Sequence, residues 1–139
     1  MDLRGLIAYV NRERYGVVAT TGRDGAPGAA YLPFAATDAG ELVFDTKPDS
    51  RKVANLRADG RVAVVIGGPS GTTLQAEGVA DFPEGDERSR CVDAYLATYP
   101  EFAGSVRGGG VEVVRVRLAW ARFGDFRTAA AQVAEVDLG

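Results

Sequence analysis

Asp45, Thr46, Ser50, Arg51 and Lys52 place one carboxylate, two hydroxyls and two adjacent cations in a single short run. Arginine can grip two oxygens of a phosphate, lysine adds a compact point charge, and hydroxyls donate further hydrogen bonds. This is the equipment of an anion site. The chain has no histidine and a single cysteine, Cys91. A Ser-His-Asp triad, a histidine metal centre, a histidine base and an internal disulfide are all excluded. Any reaction must run on a borrowed cofactor, or use carboxylate, tyrosine, lysine or arginine. Cys91 lies on an apolar helical stripe and reads as core, because an apolar setting disfavours the thiolate.

The elements that position this run are legible around it. Leu42 to Asp45 alternates as a strand, and Pro48 ends it. Asp49 and Ser50 are good N-cap residues, and Val53 and Leu56 supply a buried stripe three apart. Ser50, Arg51 and Lys52 therefore open a helix. Its free N–H groups and positive dipole end attract an anion and repel a side-chain cation. Two adjacent cations there need a reason, and a bound phosphate is one; a solvated, poorly charged helix start is the plain alternative.

Upstream, Leu3, Leu6, Ile7 and Val10 recur at helical spacing, which predicts an amphipathic helix ending near Arg14. Gly16 to Thr21 and Gly28 to Ala36 read as strands joined by a Gly- and Asp-rich turn. After the turn at Thr37 to Gly40, Glu41 to Thr46 is the third strand. The helix after it should stop at Asp59-Gly60, with Gly60 in the left-handed position. Arg61 to Ile66 and Thr72 to Phe82 are the next strands, with a bulge or close approach expected at Gly78. A second long helix carries Cys91, Val92, Tyr95, Leu96 and Tyr99 and stops at Pro100. Glu101 to Gly110 reads as a loop. Val111 to Phe123 is the longest strand, with Val114, Val116, Leu118 and Trp120 on one face and Arg115 and Arg117 on the other. The tail from Thr128 has no clear pattern. About six strands at hairpin spacing, with three helices, predict a mainly β, antiparallel barrel with flanking helices.

The 139 residues fit one domain, and 46% are hydrophobic, enough for a real core. The net charge of −3 gives no electrostatic footprint for a nucleic-acid partner. No signal-peptide layout and no membrane-spanning apolar stretch are present, so the reading is a cytoplasmic protein with no membrane association.

Three stretches carry a family resemblance. Phe44-Asp45-Thr46, Ser50-Arg51-Lys52, Asn55-Leu56 and Arg61-Val62-Ala63 resemble the flavin-binding stretch of the pyridoxamine 5′-phosphate oxidase-like split β-barrel family. Thr73 to Ala80 resembles the family's next long strand, with its Glu-Gly pair at Glu77-Gly78. The opening helix, Gly16 to Thr20 and Asp24 to Pro27 resemble its beginning. Together they cover most of the chain in the family's order.

The resemblance implies a single six-stranded, FMN-binding split barrel over residues 1–139. It also implies a homodimer with the flavin between subunits and a small-molecule redox substrate. FMN carries hydride chemistry itself, so a protein without histidine can host it. By position, Ser50, Arg51, Lys52 and Thr46 would hold the phosphate, with Asp45 near the ribityl end. The strand carrying Ala30, Tyr31, Leu32, Pro33, Phe34 and Ala35 would run beside the ring, with Thr73 approaching it from the fifth strand. Trp120 is either a core residue or a ring set against the flavin from the second subunit; Tyr31 reads as packing. Arg122 and Arg127 could take an anion, or pair on the surface.

Departures matter. Oxidases of the family acting on pyridoxamine phosphate carry Arg and Lys on the second strand, where this chain has Ala30 and Ala35, and they end in an Arg/His motif that is missing here. True vitamin B6 oxidase activity is not expected. The deazaflavin F420 is the alternative cofactor, which would require a basic groove built from Lys47, Arg57 and Arg61. A non-catalytic flavin sensor or carrier is the reading from another class. Haem would need an axial ligand from Tyr, Cys91 or Met1.

Overall fold

The computed structural model describes residues 1–139. Helix α1 spans Leu3–Glu13, and Asp2 caps it by accepting the Gly5 N–H at 2.9 Å. Strands β1 (Tyr15–Thr21), β2 (Pro27–Pro33), β3 (Ala35–Ala36) and β4 (Leu42–Thr46) follow, then α2 (Arg51–Ala58). Next come β5 (Arg61–Gly67), β6 (Thr72–Asp81), α3 (Gly85–Thr98), a 3-10 turn at Pro100–Phe102, α4 (Ala103–Arg107), β7 (Glu112–Asp125) and β8 (Gln132–Glu135).

The strands form one antiparallel sheet in the order β2-β1-β5-β6-β7-β4-β3, with β8 added on β7. β2 and β3 lie at opposite ends of this path, yet only Phe34 separates them in the chain. One bent strand thus leaves the first edge and arrives at the last, curling the sheet into a split barrel. Pro33 sits at the bend, where its missing N–H removes a ladder bond. Phe34 fixes the crossing: its N–H donates to the Arg14 carbonyl at 2.7 Å, and its carbonyl accepts from the Tyr99 hydroxyl at 2.7 Å.

Alternation builds the core. Val18, Val62, Val64, Ile66, Leu74 and Ala76 turn inward from successive strands and meet Leu6, Tyr9 and Val10 of α1. A second cluster lies on the outer side of β3, β4 and β7, where α3 covers Ala35, Val43 and Val113 with Cys91, Val92, Tyr95 and Tyr99. Cys91 is fully buried there, as its apolar stripe implied, and burial pushes its thiol pKa up.

Four local expectations change. The predicted second strand divides at Pro33–Phe34, and the Ala-rich tail contributes β8, giving eight strands rather than about six. The Glu101–Gly110 stretch contains helical turns, with Val106 anchored in the second cluster. Gly60 does not adopt a left-handed conformation; Asp59 ends α2 in extended backbone. Glycine is needed at 60 because a β-carbon would crowd the Ala80 carbonyl oxygen at 2.9 Å.

The fourth change concerns Trp120. Glu77 pairs with Trp120 but Gly78 pairs with Leu118, so Ala119 is an extra residue in β7. This is the bulge expected at Gly78, where a β-carbon would collide with the Arg117 carbonyl oxygen. One inserted residue inverts the facing of everything beyond it. Val114, Val116 and Leu118 face the core before the bulge, and Ala121 and Phe123 face it afterwards. Trp120 is turned outward, so the barrel-core reading of this residue is wrong.

Candidate cofactor-binding site

The start of α2 and the β1–β2 hairpin enclose the largest cavity in the molecule, about 890 Å³. Thr20, Arg23, Ala30, Arg51, Lys52 and Asn55 are among its lining residues. The helix starts there because Ser50 caps it, its hydroxyl accepting the Val53 N–H at 3.3 Å. Val53 and Leu56 fasten the helix to the barrel by their buried faces. Arg51, Lys52 and Asn55 are then left on the opposite, cavity-facing side at one-turn spacing.

The electrostatics of this pocket are one-sided. Arg23, Arg51 and Lys52 make no ion pair with any carboxylate. Asp24 is the one acidic residue in the lining, and its carboxylate accepts the Ala26 N–H at 3.0 Å within its own turn. Arg23 and Arg51 are exposed and Lys52 is half-buried, so the three cations present their charge to a concavity open to solvent.

The predicted residues divide between this cavity and other places. Ala30, Arg51 and Lys52 come together in its wall. Thr46 and Ser50 lie just behind the helix start, their hydroxyls 3.0 Å apart, bonded to each other and outside the lining. Asp45 points to the other face of β4, as alternation from Thr46 demands, and accepts the Tyr95 hydroxyl at 2.8 Å. Burial, and then that carboxylate, push the Tyr95 pKa far up, so Tyr95 stays a donor to Asp45. Leu32 and Phe34 are core side chains, and Ala35 is sealed beneath α3. Pro33 is half-buried at the bend. Tyr31 is 68% exposed on the outer face and stacks on Tyr15, with ring centroids 5.7 Å apart. Its packing partner is thus another exposed ring.

Thr73 and Trp120 are remote from this cavity. Thr73 pairs with Gly67, four residues along β5 from the Ala63 that pairs with Ala19, or roughly 13 Å at strand spacing. Trp120 donates its indole N–H to Glu135 of β8 at 3.0 Å, and Arg122 lies over its ring at 5.8 Å. Arg127 pairs with Asp125 at 2.7 Å, and Arg122 donates to Gln75 at 2.9 Å.

Sequence reasoning placed Asn55 in the flavin-binding stretch without giving it a role, and did not assign Thr20 or Arg23 to the site. Asn55 carried a signal, since it lies one turn beyond Arg51 and Lys52. Thr20 and Arg23 carried none, because their place depends on how the hairpin folds over α2. On the outer face of the same strands, Tyr15, Tyr31, Val65 and Val79 are exposed and apolar.

Fold and pocket together define a split β-barrel with a basic cavity at its first hairpin. Residues 6–125 match the family described as pyridoxamine 5′-phosphate oxidase, and the chain belongs to that family. No curated protein matches it in sequence. Among solved structures, it is similar to a haem-binding protein from Mycobacterium smegmatis, with TM-score 0.80 and 18% identity over 99% of this chain. The chain spans only 62% of that protein's length. A conserved hypothetical protein from Mycobacterium tuberculosis aligns with TM-score 0.75 and 29% identity, covering 91% of this chain and 86% of the other. A pyridoxamine 5′-phosphate oxidase-related, FMN-binding protein from Nostoc punctiforme aligns with TM-score 0.71 and 16% identity, covering 96% and 88% respectively. No helix is long and apolar enough to cross a membrane.

Proposed function

We propose that the protein is an FMN-binding oxidoreductase that works as a homodimer, and that it is not a pyridoxamine phosphate oxidase. The observation that carries this reading is the cavity at the α2 start, where three cations without carboxylate partners meet in a chain of this family. Bound FMN would supply hydride transfer to or from a small organic substrate or a nicotinamide. The chain's own residues would bind and orient it. Arg51 and Lys52 would hold the phosphate, and the small residues Gly28, Ala29 and Ala30 leave the adjoining wall open to a flat ring.

The exposed apolar face of β1, β2, β5 and β6 suits a second copy of the chain. Thr73 and Trp120, remote from the cavity within one subunit, would reach a flavin only from that second copy. Asp45 has no part in this reading, since Tyr95 holds it on the far side of β4. The strand cations of the vitamin B6 oxidases have no counterpart at Ala30 or Ala35, and Ala35 is buried.

Two observations favour FMN over the alternatives. Of the residues proposed to line a groove for the F420 tail, Arg57 is paired with Glu112 at 3.4 Å and Arg61 with Asp59 at 2.7 Å. For haem, the chain has no histidine and Cys91 is fully buried, so an axial ligand would have to come from a tyrosine or Met1. The test is titration of the purified protein with FMN, F420 and haemin, with an Arg51→Ala/Lys52→Ala variant alongside. Saturable FMN binding, lost in the variant, is the expected result. Saturation by F420 alone would move the cofactor to the deazaflavin, and a haem spectrum without flavin binding would overturn the reading. FMN binding with no turnover of reduced nicotinamide or other donors would leave a flavin sensor or carrier.

A further inference from the structure

We propose that Arg23 and Thr20, on the β1–β2 hairpin, complete the anion site as its third arm, and that the site is built for a phosphomonoester dianion. The inference rests on the phosphate-site reading of the cavity above. It adds residues from a second element, opposite the helix.

Three observations carry it. First, Arg23 lines the same cavity as Arg51 and Lys52 and has no carboxylate partner, although Asp24 is its neighbour in the chain. Asp24 is occupied with the Ala26 N–H, and this bond holds the hairpin tip in shape while leaving the Arg23 guanidinium free. Second, Thr20 is 4% exposed and accepts the Asn55 side-chain N–H at 3.0 Å. With its oxygen so engaged, its hydroxyl proton is left for an acceptor in the cavity that Thr20 lines. Third, the Asn55–Thr20 bond ties the α2 helix to β1 directly beneath the cations, so helix and hairpin are fixed relative to each other.

The charge balance defines the ligand. Three cations against one carboxylate leave the pocket doubly positive in formal charge, matching a phosphomonoester near neutral pH. Arg23 thereby stands in for positive charge that the related oxidases place on the second strand, where this chain has alanine. A guanidinium on a hairpin tip closes over the phosphate from the solvent side and leaves the strand itself bare for the ring.

The test compares FMN with riboflavin, which has the same ring without the phosphate, by fluorescence titration of wild type, Arg23→Ala and Arg23→Lys. Arg23→Ala is expected to weaken FMN about tenfold and leave riboflavin unchanged, the loss of one charge-assisted contact. Arg23→Lys should recover part of the loss. Equal weakening of both flavins, or no change with FMN, would overturn the proposal. If wild type binds neither flavin, the flavin reading fails, and phenyl phosphate then serves as the probe. A rise in thermal midpoint with phenyl phosphate that disappears in Arg23→Ala supports the third arm. A rise that persists, or no rise in wild type, overturns it. Thr20→Val, which keeps the shape, should lower FMN affinity in the same phosphate-dependent way.

Discussion

The molecule uses its cations in two opposite ways. On the outer side of β6 and β7, Arg115 is 5% exposed and bound on every side, by Asp81 at 2.7 Å, Glu87 at 3.1 Å and Glu41 at 3.6 Å. Arg90 reaches Glu41 from α3 at 2.8 Å, and Arg117 adds a second contact to Asp81 at 2.7 Å. At the α2 cavity, by contrast, Arg23, Arg51 and Lys52 make no ion pair, and the one carboxylate in the lining, Asp24, is bonded within its own turn. Charge neutralised within the fold ties α3 to the sheet; charge left free in a concavity is available to a ligand. This contrast marks Arg115 and Arg90 as cations that the fold itself uses, and the cavity cations as ones that it does not pair.

The contrast breaks most visibly at Arg115. Arg115→Ala would remove the central cation from Asp81, Glu87 and Glu41, which keep Arg117 and Arg90 as partners, at a cost of about 2 kcal/mol in unfolding free energy, as for lost hydrogen bonds between charged groups. Urea denaturation measures it, and a change under about 0.5 kcal/mol would mean that water already screens the cluster. The cavity should behave in the opposite way. Arg51→Ala/Lys52→Ala should lower FMN affinity about a hundredfold, or roughly 2.7 kcal/mol. Its unfolding free energy should stay within about 0.5 kcal/mol of wild type, as for exposed sites without partners.

Acid sharpens the same comparison. Glu41 is held below the ordinary carboxylate range, first by the Arg90 hydrogen bond, and Asp81 is held down first by Arg115. A carboxyl whose folded pKa is depressed contributes stability that is complete above its unfolded value, near 4. That contribution is lost as pH falls below 4 through the folded value. The thermal midpoint should therefore drop on the acid side of about pH 4, and drop less steeply in Arg115→Ala, where Asp81 has lost its main partner. An identical acid limb in both proteins would remove Arg115 from the account.

Much of this was legible from residue order, and the failures share a cause. The opening helix, the Ser50 cap, the strand at Leu42–Thr46 and the Val53–Leu56 stripe depend on local spacing, and spacing is visible in a sequence. The setting of Asp45 is not legible from spacing, because a strand sends neighbours to opposite faces and Tyr95, fifty residues on, decides what the carboxylate meets. The place of Arg23 and Thr20 in the cavity wall has the same cause, since only the folded hairpin brings them over α2. The tail had no periodicity because β8 is exposed along its whole length and is held by its backbone pairing to β7.

Trp120 gives the smallest and most discriminating prediction. Periodicity along β7 put it with Val114, Val116 and Leu118, and the extra Ala119 turns it out. There its indole N–H meets Glu135 of β8, beside Arg122. Trp120→Phe keeps an aromatic ring but removes that exposed hydrogen bond, so the free protein should lose at most about 1 kcal/mol. A core tryptophan would behave otherwise, because the void left by the smaller ring would add to the lost contact. Unfolding of the isolated chain, compared with dimerisation and FMN affinity in the same variant, separates the two roles. Loss of affinity with stability retained would place this outward ring against a flavin from the second subunit. Loss of dimer alone would make it an interface residue, and loss of neither would leave it as the fastening of β8.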